Sequence, residues 1–229
     1  MVKIRSGYFF AILGSFAILG MLVGLGITSA PDDSVVRYFH SLEGNASLDL
    51  AMVAISTLGD ATFLVILGIV LTVIRRTRKV GMVFLIAIVV VAILTMYIKP
   101  LVGREIPPYS FEPAIKLPKG TIEVDSLAPF AANFSFPAGH AARATALAFM
   151  AGFAIYKKNR GLAYLLWSFP LIIGVTRIYL MQQYPTDIAG GILFGLLVAI
   201  SLSSIMKLEQ PFNISRFKTT ANDSVGPAA

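Results

Sequence analysis

"SFPAGHAARATA", residues 135–146, leads from a polar, proline-rich stretch into an apolar run, with a histidine and an arginine where a membrane helix should be starting. His140 and Arg143 are three apart, so on a helix they share one face about one turn from each other. Ionisable groups are costly at that depth in lipid, and each is expected to have a partner or a task. The rest of the chain makes lipid the relevant solvent. Of 229 residues 56% are hydrophobic and 14% charged, with a mean hydropathy of +0.78. Soluble domains carry about a quarter charged residues, so this is read as an integral membrane protein.

Working outward from that stretch, six runs are long enough to cross a bilayer: 8–29, 48–74, 80–98, 137–156, 161–181 and 187–206. The first follows Lys3 and Arg5 but outruns a signal-peptide core of about 7–15 residues, so it is read as a retained helix. The net charge of +7 is gathered in short clusters between runs, "RRTRK" (75–79) and "KKNR" (157–160) above all. That is an orientation signal rather than a nucleic-acid surface, and it places both termini in the cytoplasm. There is no cysteine, which excludes disulfides, thiol nucleophiles and thiolate metal sites.

The same topology puts 30–47, 99–136 and the "QQYPT" turn (182–186) on the extracytoplasmic face. Six prolines between Pro100 and Pro129 argue for an ordered cap rather than a simple helix over 99–136. Residues 32–44 suit an interfacial helix. Residues 1–208 are expected to form one membrane-embedded domain, and 209–229, polar and rich in Ser, Asn and Gly, a mobile cytoplasmic tail. Small residues in "AARATALA" (141–148) and "AGGILFG" (189–195) suit close helix approach.

Lys99, His140, Arg143, Arg177 and Asp187 all fall at the same ends of their runs and so share one membrane level. Each alone has a bland explanation, such as a snorkelling lysine or a helix-capping aspartate. Together they point to a polar site. "KPLVGREIP" (99–107), "FPAGH" (136–140) and "TRIYLMQQYPTD" (176–187) resemble, in order and spacing, the three motifs of the type-2 phosphatidic acid phosphatase superfamily. Those motifs are Lys-x6-Arg-Pro, Pro-Ser-Gly-His and Ser-Arg-x5-His-x3-Asp.

The resemblance implies an all-α bundle of six membrane helices in the cell membrane, with the motif face extracytoplasmic. It implies hydrolysis of a lipid or polyprenyl (pyro)phosphate with no metal and no cofactor. Lys99, Arg177 and the Gly139 region would hold phosphate, His140 would protonate the leaving group, and Asp187 would orient the nucleophile. The sequence departs from the pattern at decisive places: Ile106 for the first-motif arginine, Ala138 and Thr176 for serines, and Gln183 for the nucleophilic histidine. An amide nitrogen, its lone pair delocalised, cannot replace imidazole in covalent catalysis.

Gln183 and Asp187 are four apart and would pair on one face if the helix extended back through the turn. Arg104 and Arg143 are alternative sources of the charge missing at Ile106; Arg143 is equally a buried partner for an acidic residue. His40 is expected to be an interfacial residue outside the site. The Ser-to-Ala and His-to-Gln departures have the look of engineered inactivation, against which Ile106 speaks. The expected function is therefore an impaired phosphatase relative, with a non-catalytic anionic-lipid-binding protein or a subunit of a membrane complex as the alternative. Partners expected are an anionic lipid or polyprenyl phosphate, with a membrane-protein subunit or second copy left open, and no nucleic acid.

Overall fold

The computed structural model describes residues 6–118, 120–125 and 129–208; the tail expected at 209–229 lies outside them. The described residues are helical, with no strand beyond one isolated bridge between Glu105 and Phe134. The helices are α1 (Gly7–Gly24), α2 (Ser29–His40), α3 (Ala46–Thr57), α4 (Ala61–Val73), α5 (Arg78–Val102), α6 (Gly139–Tyr156), α7 (Arg160–Leu165), α8 (Ser168–Tyr179) and α9 (Pro185–Ile205). Local chemistry sets their ends. The Asn45 side chain accepts from the Ser47 and Leu48 amides to open α3, and Gly103 closes α5 in the left-handed region at φ 73°.

Among the described residues four helical segments are long and apolar enough to cross a membrane: α1, α5, Arg160–Tyr179 and α9. A fifth arises if α3 and α4 are taken together. The run expected as a single span at 48–74 is thus two helices, bent by 49° around Leu58–Asp60. Gly59 and Asp60 interrupt the apolar pattern, and Asp60, at the N-cap of α4, is turned toward the molecule's interior rather than carried along a straight helix. The run expected at 161–181 is likewise divided into α7 and α8 around Leu166 and Trp167.

Helix α6 is the axis of the packing. It touches α5, α7, α8 and α9, and most of its residues are buried, including His140 and Arg143. Phe84, Ala87 and Val91 of α5, Ala142, Ala146 and Met150 of α6, and Phe194, Val198 and Ala199 of α9 form the central core. The glycines of α9 make this closeness possible. A Cβ on Gly191 would stand 2.4 Å from the Ala138 carbonyl oxygen, and one on Gly195 2.4 Å from that of Ala142. Outward-facing Phe10, Ile18 and Met21 on α1 and Ile66, Ile69 and Val70 on α4 remain exposed, as lipid-facing side chains should.

The segment between α5 and α6 is an irregular cap whose two ends zip together. Ile106 N donates to Asn133 O at 3.0 Å and Ser135 N to Arg104 O at 2.8 Å. A single 3-10 turn, Pro129–Ala131, is its one regular piece among the described residues. Closing the loop this way carries residues 120–125 down onto the N-terminus of α6, where the expected site lies.

Candidate functional site

The first turn of any helix has backbone N–H groups without intrahelical acceptors. In α6, residue Ala138 has no side chain to cap them, and the Asp125 carboxylate does so from the loop. Its Oδ2 accepts from Gly139 N at 2.6 Å and its Oδ1 from His140 N at 2.9 Å. Around the same two oxygens gather Lys99 Nζ at 3.4 Å, Gln183 Nε2 at 3.3 Å, His140 Nδ1 at 2.5 Å and Arg143 Nη2 at 3.7 Å. Burial by itself would push the Asp125 carboxyl up. The charges of Lys99, His140 and Arg143 and the His140 hydrogen bond overcome that and hold it well below the usual carboxylate range.

His140 is clamped from both sides. Its Nε2 lies 3.0 Å from Asp60 Oδ1, at the bend between α3 and α4, and 3.7 Å from Glu123 Oε2. Glu123 also accepts from the Ala61 amide at 2.8 Å, which caps α4, while its backbone carbonyl accepts from Arg177 Nη2 at 3.0 Å. Arg143 Nη2 donates to Gly59 O at 3.5 Å and lies 4.0 Å from Glu123. The cations Lys99, Arg143 and Arg177 thus face the carboxylates Asp60, Glu123 and Asp125 around one histidine. The ligand atoms of Asp60, Glu123 and His140 lie within 4.8 Å of one another, close enough to share a metal ion, although the Arg143 guanidinium already supplies positive charge there.

Some buried polar atoms are left over. Arg177 Nε and Nη1 and Arg143 Nε have no hydrogen-bond partner among the described residues, and neither has Gln183 Oε1. Arg177 is 0% exposed. Unmatched guanidinium N–H groups in such a place are suited to an anion with more acceptor oxygens than a carboxylate has.

A second network lies next to the first. Arg104 Nη2 reaches Asp32 Oδ2 at 2.6 Å, and its Nη1 reaches Thr186 Oγ1 at 2.6 Å and Asp187 Oδ1 at 3.1 Å. Thr186 also hydrogen-bonds Asp32 through its hydroxyl. Asp187 Oδ2 accepts from Tyr184 N at 2.8 Å, capping α9.

Of the residues singled out from sequence, Lys99, Gly139, His140, Arg143 and Gln183 converge on Asp125, and Arg177 joins them through Glu123. Arg143 is a partner of buried acidic groups. Arg104 and Asp187 meet each other instead, so Arg104 supplies no charge to the Asp125 cradle through a direct contact. The pairing expected between Gln183 and Asp187 does not form. Tyr184 is extended at φ −96°, ψ 161°, so α9 does not continue back through the turn and Gln183 faces Asp125 instead. His40 pairs with Glu43 at 3.2 Å and packs on Tyr109, neither of which contributes to the cradle.

Sequence reasoning missed Asp60, Glu123, Asp125 and Asp32. Asp60 left a signal, since it is an acidic residue inside an otherwise apolar run of bilayer length. The others lie in loop or in an interfacial helix, where an acidic residue is unremarkable.

An apolar helical bundle of this kind is a multi-pass membrane protein, and at one end it holds a buried cradle of cations and helix N-terminal amides around a carboxylate. Residues 80–211, over half of the chain, match the PAP2 superfamily, and the chain belongs to it. It is similar to the undecaprenyl-diphosphatase BcrC of Bacillus subtilis (strain 168), with 30% identity over 89 residues covering 39% of this chain and 44% of that one. The alignment therefore spans less than half of that relative's length. In fold it is similar to a transmembrane PAP2-type phosphatidylglycerolphosphate phosphatase from Bacillus subtilis. That likeness has a TM-score of 0.71 at 20% identity and covers 90% of this chain and 98% of the other.

Proposed function

We propose that this protein is a lipid-phosphate-binding member of the superfamily whose turnover is impaired. The observation that carries the reading is Gln183: at the nucleophile's place in the motif it turns an amide toward the cradle, 3.3 Å from Asp125. A phosphohistidine cannot form there. The relatives named above act on a polyprenyl pyrophosphate and on phosphatidylglycerol phosphate. A phosphoryl headgroup on an isoprenoid or diacylglycerol tail is accordingly the ligand class.

Lys99, Arg143 and Arg177 would neutralise the phosphoryl oxygens, and the Gly139 and His140 amides would donate to one of them. His140 would be placed to hand a proton to a leaving oxygen, with Asp60 and Glu123 at its far nitrogen. Ile106 and Ala138 take away two further ligands, so transition-state charge is met by fewer donors than the motifs normally provide. The finer topology belongs to the same proposal. Six spans would result from counting α3 with α4, α7 with α8, and the largely buried α6, with both termini cytoplasmic and the cradle extracytoplasmic; the basic clusters at 75–79 and 157–160 support that orientation.

The reading is tested by binding of a fluorescent polyprenyl pyrophosphate to the purified chain in neutral-lipid nanodiscs. Binding should be measurable and should weaken at least about tenfold in Arg177→Ala, the loss of a charge-assisted contact. Equal binding by both would remove the phosphate site.

A further inference from the structure

We propose that Asp125 is a built-in occupant of the oxyanion cradle, a tethered carboxylate in the place of a phosphoryl group, so that an external phosphate enters only when Asp125 leaves. The inference rests on the cradle being an oxyanion site, as proposed above.

The donor set is the first argument. A buried carboxylate kept for stability alone is served by one well-placed cation and a few hydrogen bonds. Asp125 instead takes two successive N-terminal amides of α6, the Lys99 ammonium, the Gln183 amide and the His140 ring. Paired helix N-terminal amides combined with lysine and arginine are a phosphate-recognition arrangement. The glycine at 139 is what admits the guest so closely: a Cβ there would stand 2.8 Å from Asp125 Oδ1.

The occupant and the cradle are also mismatched. A carboxylate has two oxygens, and here three buried guanidinium nitrogens, Nε and Nη1 of Arg177 and Nε of Arg143, are left without acceptors among the described residues. A tetrahedral oxyanion brings further oxygens to such groups. Asp125 fills the centre of the cradle and leaves its arginine side unsatisfied, which fits a substitute ligand better than a purpose-built ion-pair network.

The same short segment also seals the rest of the site. Two residues before Asp125, Glu123 takes Arg177 Nη2 on its backbone carbonyl and the Ala61 amide on its side chain. Withdrawal of residues 121–125 would therefore release the two amides and the remaining Arg177 donor together and leave Lys99 without its carboxylate, held only by the Phe134 carbonyl at 2.8 Å. Because the competitor is tethered, its effective concentration is set by the chain and not by the surroundings.

The test uses the full chain in phosphatidylcholine nanodiscs, with inorganic phosphate as probe and direct binding and Tm as readouts. Asp125→Ala should bind phosphate at least about tenfold more tightly than the wild type. The gain should disappear in Asp125→Ala with Arg177→Ala, and formate should compete with phosphate in the single variant. Asp125→Asn, which keeps an acceptor oxygen and loses the charge, should fall between. Equal phosphate affinity in wild type and a folded Asp125→Ala overturns the occupant proposal while leaving the oxyanion site standing. A folded Asp125→Ala that binds no phosphate overturns both. Should Asp125→Ala unfold, recovery of its Tm by phosphate or formate supports the proposal. Failure of both anions to restore it shows Asp125 to be a structural ion pair and overturns the proposal.

Discussion

Gly139→Ala tests how tightly the loop carboxylate is held against α6. The added Cβ would lie 2.8 Å from Asp125 Oδ1 and 3.3 Å from its Cγ and Oδ2, whereas carbon contacts settle near about 3.5–4.0 Å. Asp125 cannot swing aside freely, since both oxygens are engaged by Gly139 N at 2.6 Å and His140 N at 2.9 Å as well as by Lys99. A retreat of roughly 0.5–1 Å stretches those amide bonds past the about 3.2 Å at which they weaken. Hydrogen bonds to a charged group are worth about 1.5–3 kcal/mol each, and replacing glycine in a helix returns at most about 1 kcal/mol. The expected net cost is about 2 kcal/mol, or about 4–8 °C in Tm for a domain of this size. Gly7→Ala, with nothing within 4 Å of the new methyl, is the matched control and should be neutral or slightly stabilising. Thermal unfolding in one detergent compares them. Gly139→Ala melting with Gly7→Ala would refute the tight seating of Asp125.

The remaining predictions concern charge, topology and restored chemistry. Arg104→Ala strips the cation from Asp32 and Asp187, exposed by 2% and 0%, and should cost about 3–5 kcal/mol by chemical denaturation; a change below about 1 kcal/mol would show the pair to be unimportant. Asp125 has a folded pKa below its unfolded one, so its stabilisation is full above about pH 4 and is lost as pH falls through the folded value. The Tm gap between wild type and Asp125→Asn should therefore narrow as pH falls below about pH 4, and a gap that widens there would contradict that sign. The chain has no cysteine, so Lys116→Cys and Lys158→Cys give clean topology probes. An impermeant maleimide on intact cells should label the first and reach the second only after permeabilisation, and the reverse pattern would invert the orientation. Restoring Ile106→Arg, Ala138→Ser and Gln183→His together should recover phosphate release, more so with Asp125→Ala added, because groups that act as a unit are not additive.

The parts of the site that lie close in sequence were legible, and those brought in by loop closure were not. Pro137, Gly139 and His140 announce themselves by spacing, and the apolar runs around Lys99, Arg177 and Asp187 fix a common level for those charges. The meeting of Lys99 and Arg177 at α6 follows from helix packing, which the glycines at 191 and 195 advertise, whereas Asp187 pairs with Arg104. Asp125 has no such register. It reaches the α6 amides only because Ile106 and Ser135 zip the cap ends together, a long-range closure that periodicity cannot encode. The bend at Gly59–Asp60 was passed over for a different reason: strong apolar character on both sides carries the hydropathy signal across the two residues that interrupt it. Gln183 was legible as a departure from the third motif, while its partner was not, since that depended on where α9 starts.

The most direct measurement is phosphate release from undecaprenyl pyrophosphate and from phosphatidylglycerol phosphate by the purified, unaltered chain in nanodiscs, with His140→Ala alongside. The proposed loss of the covalent nucleophile and of two phosphoryl ligands, where one such donor alone is worth about 10²–10³ in rate, predicts release from the unaltered chain no faster than from His140→Ala. Sustained hydrolysis that His140→Ala abolishes would contradict the account and make this an active phosphatase with a different attacking group.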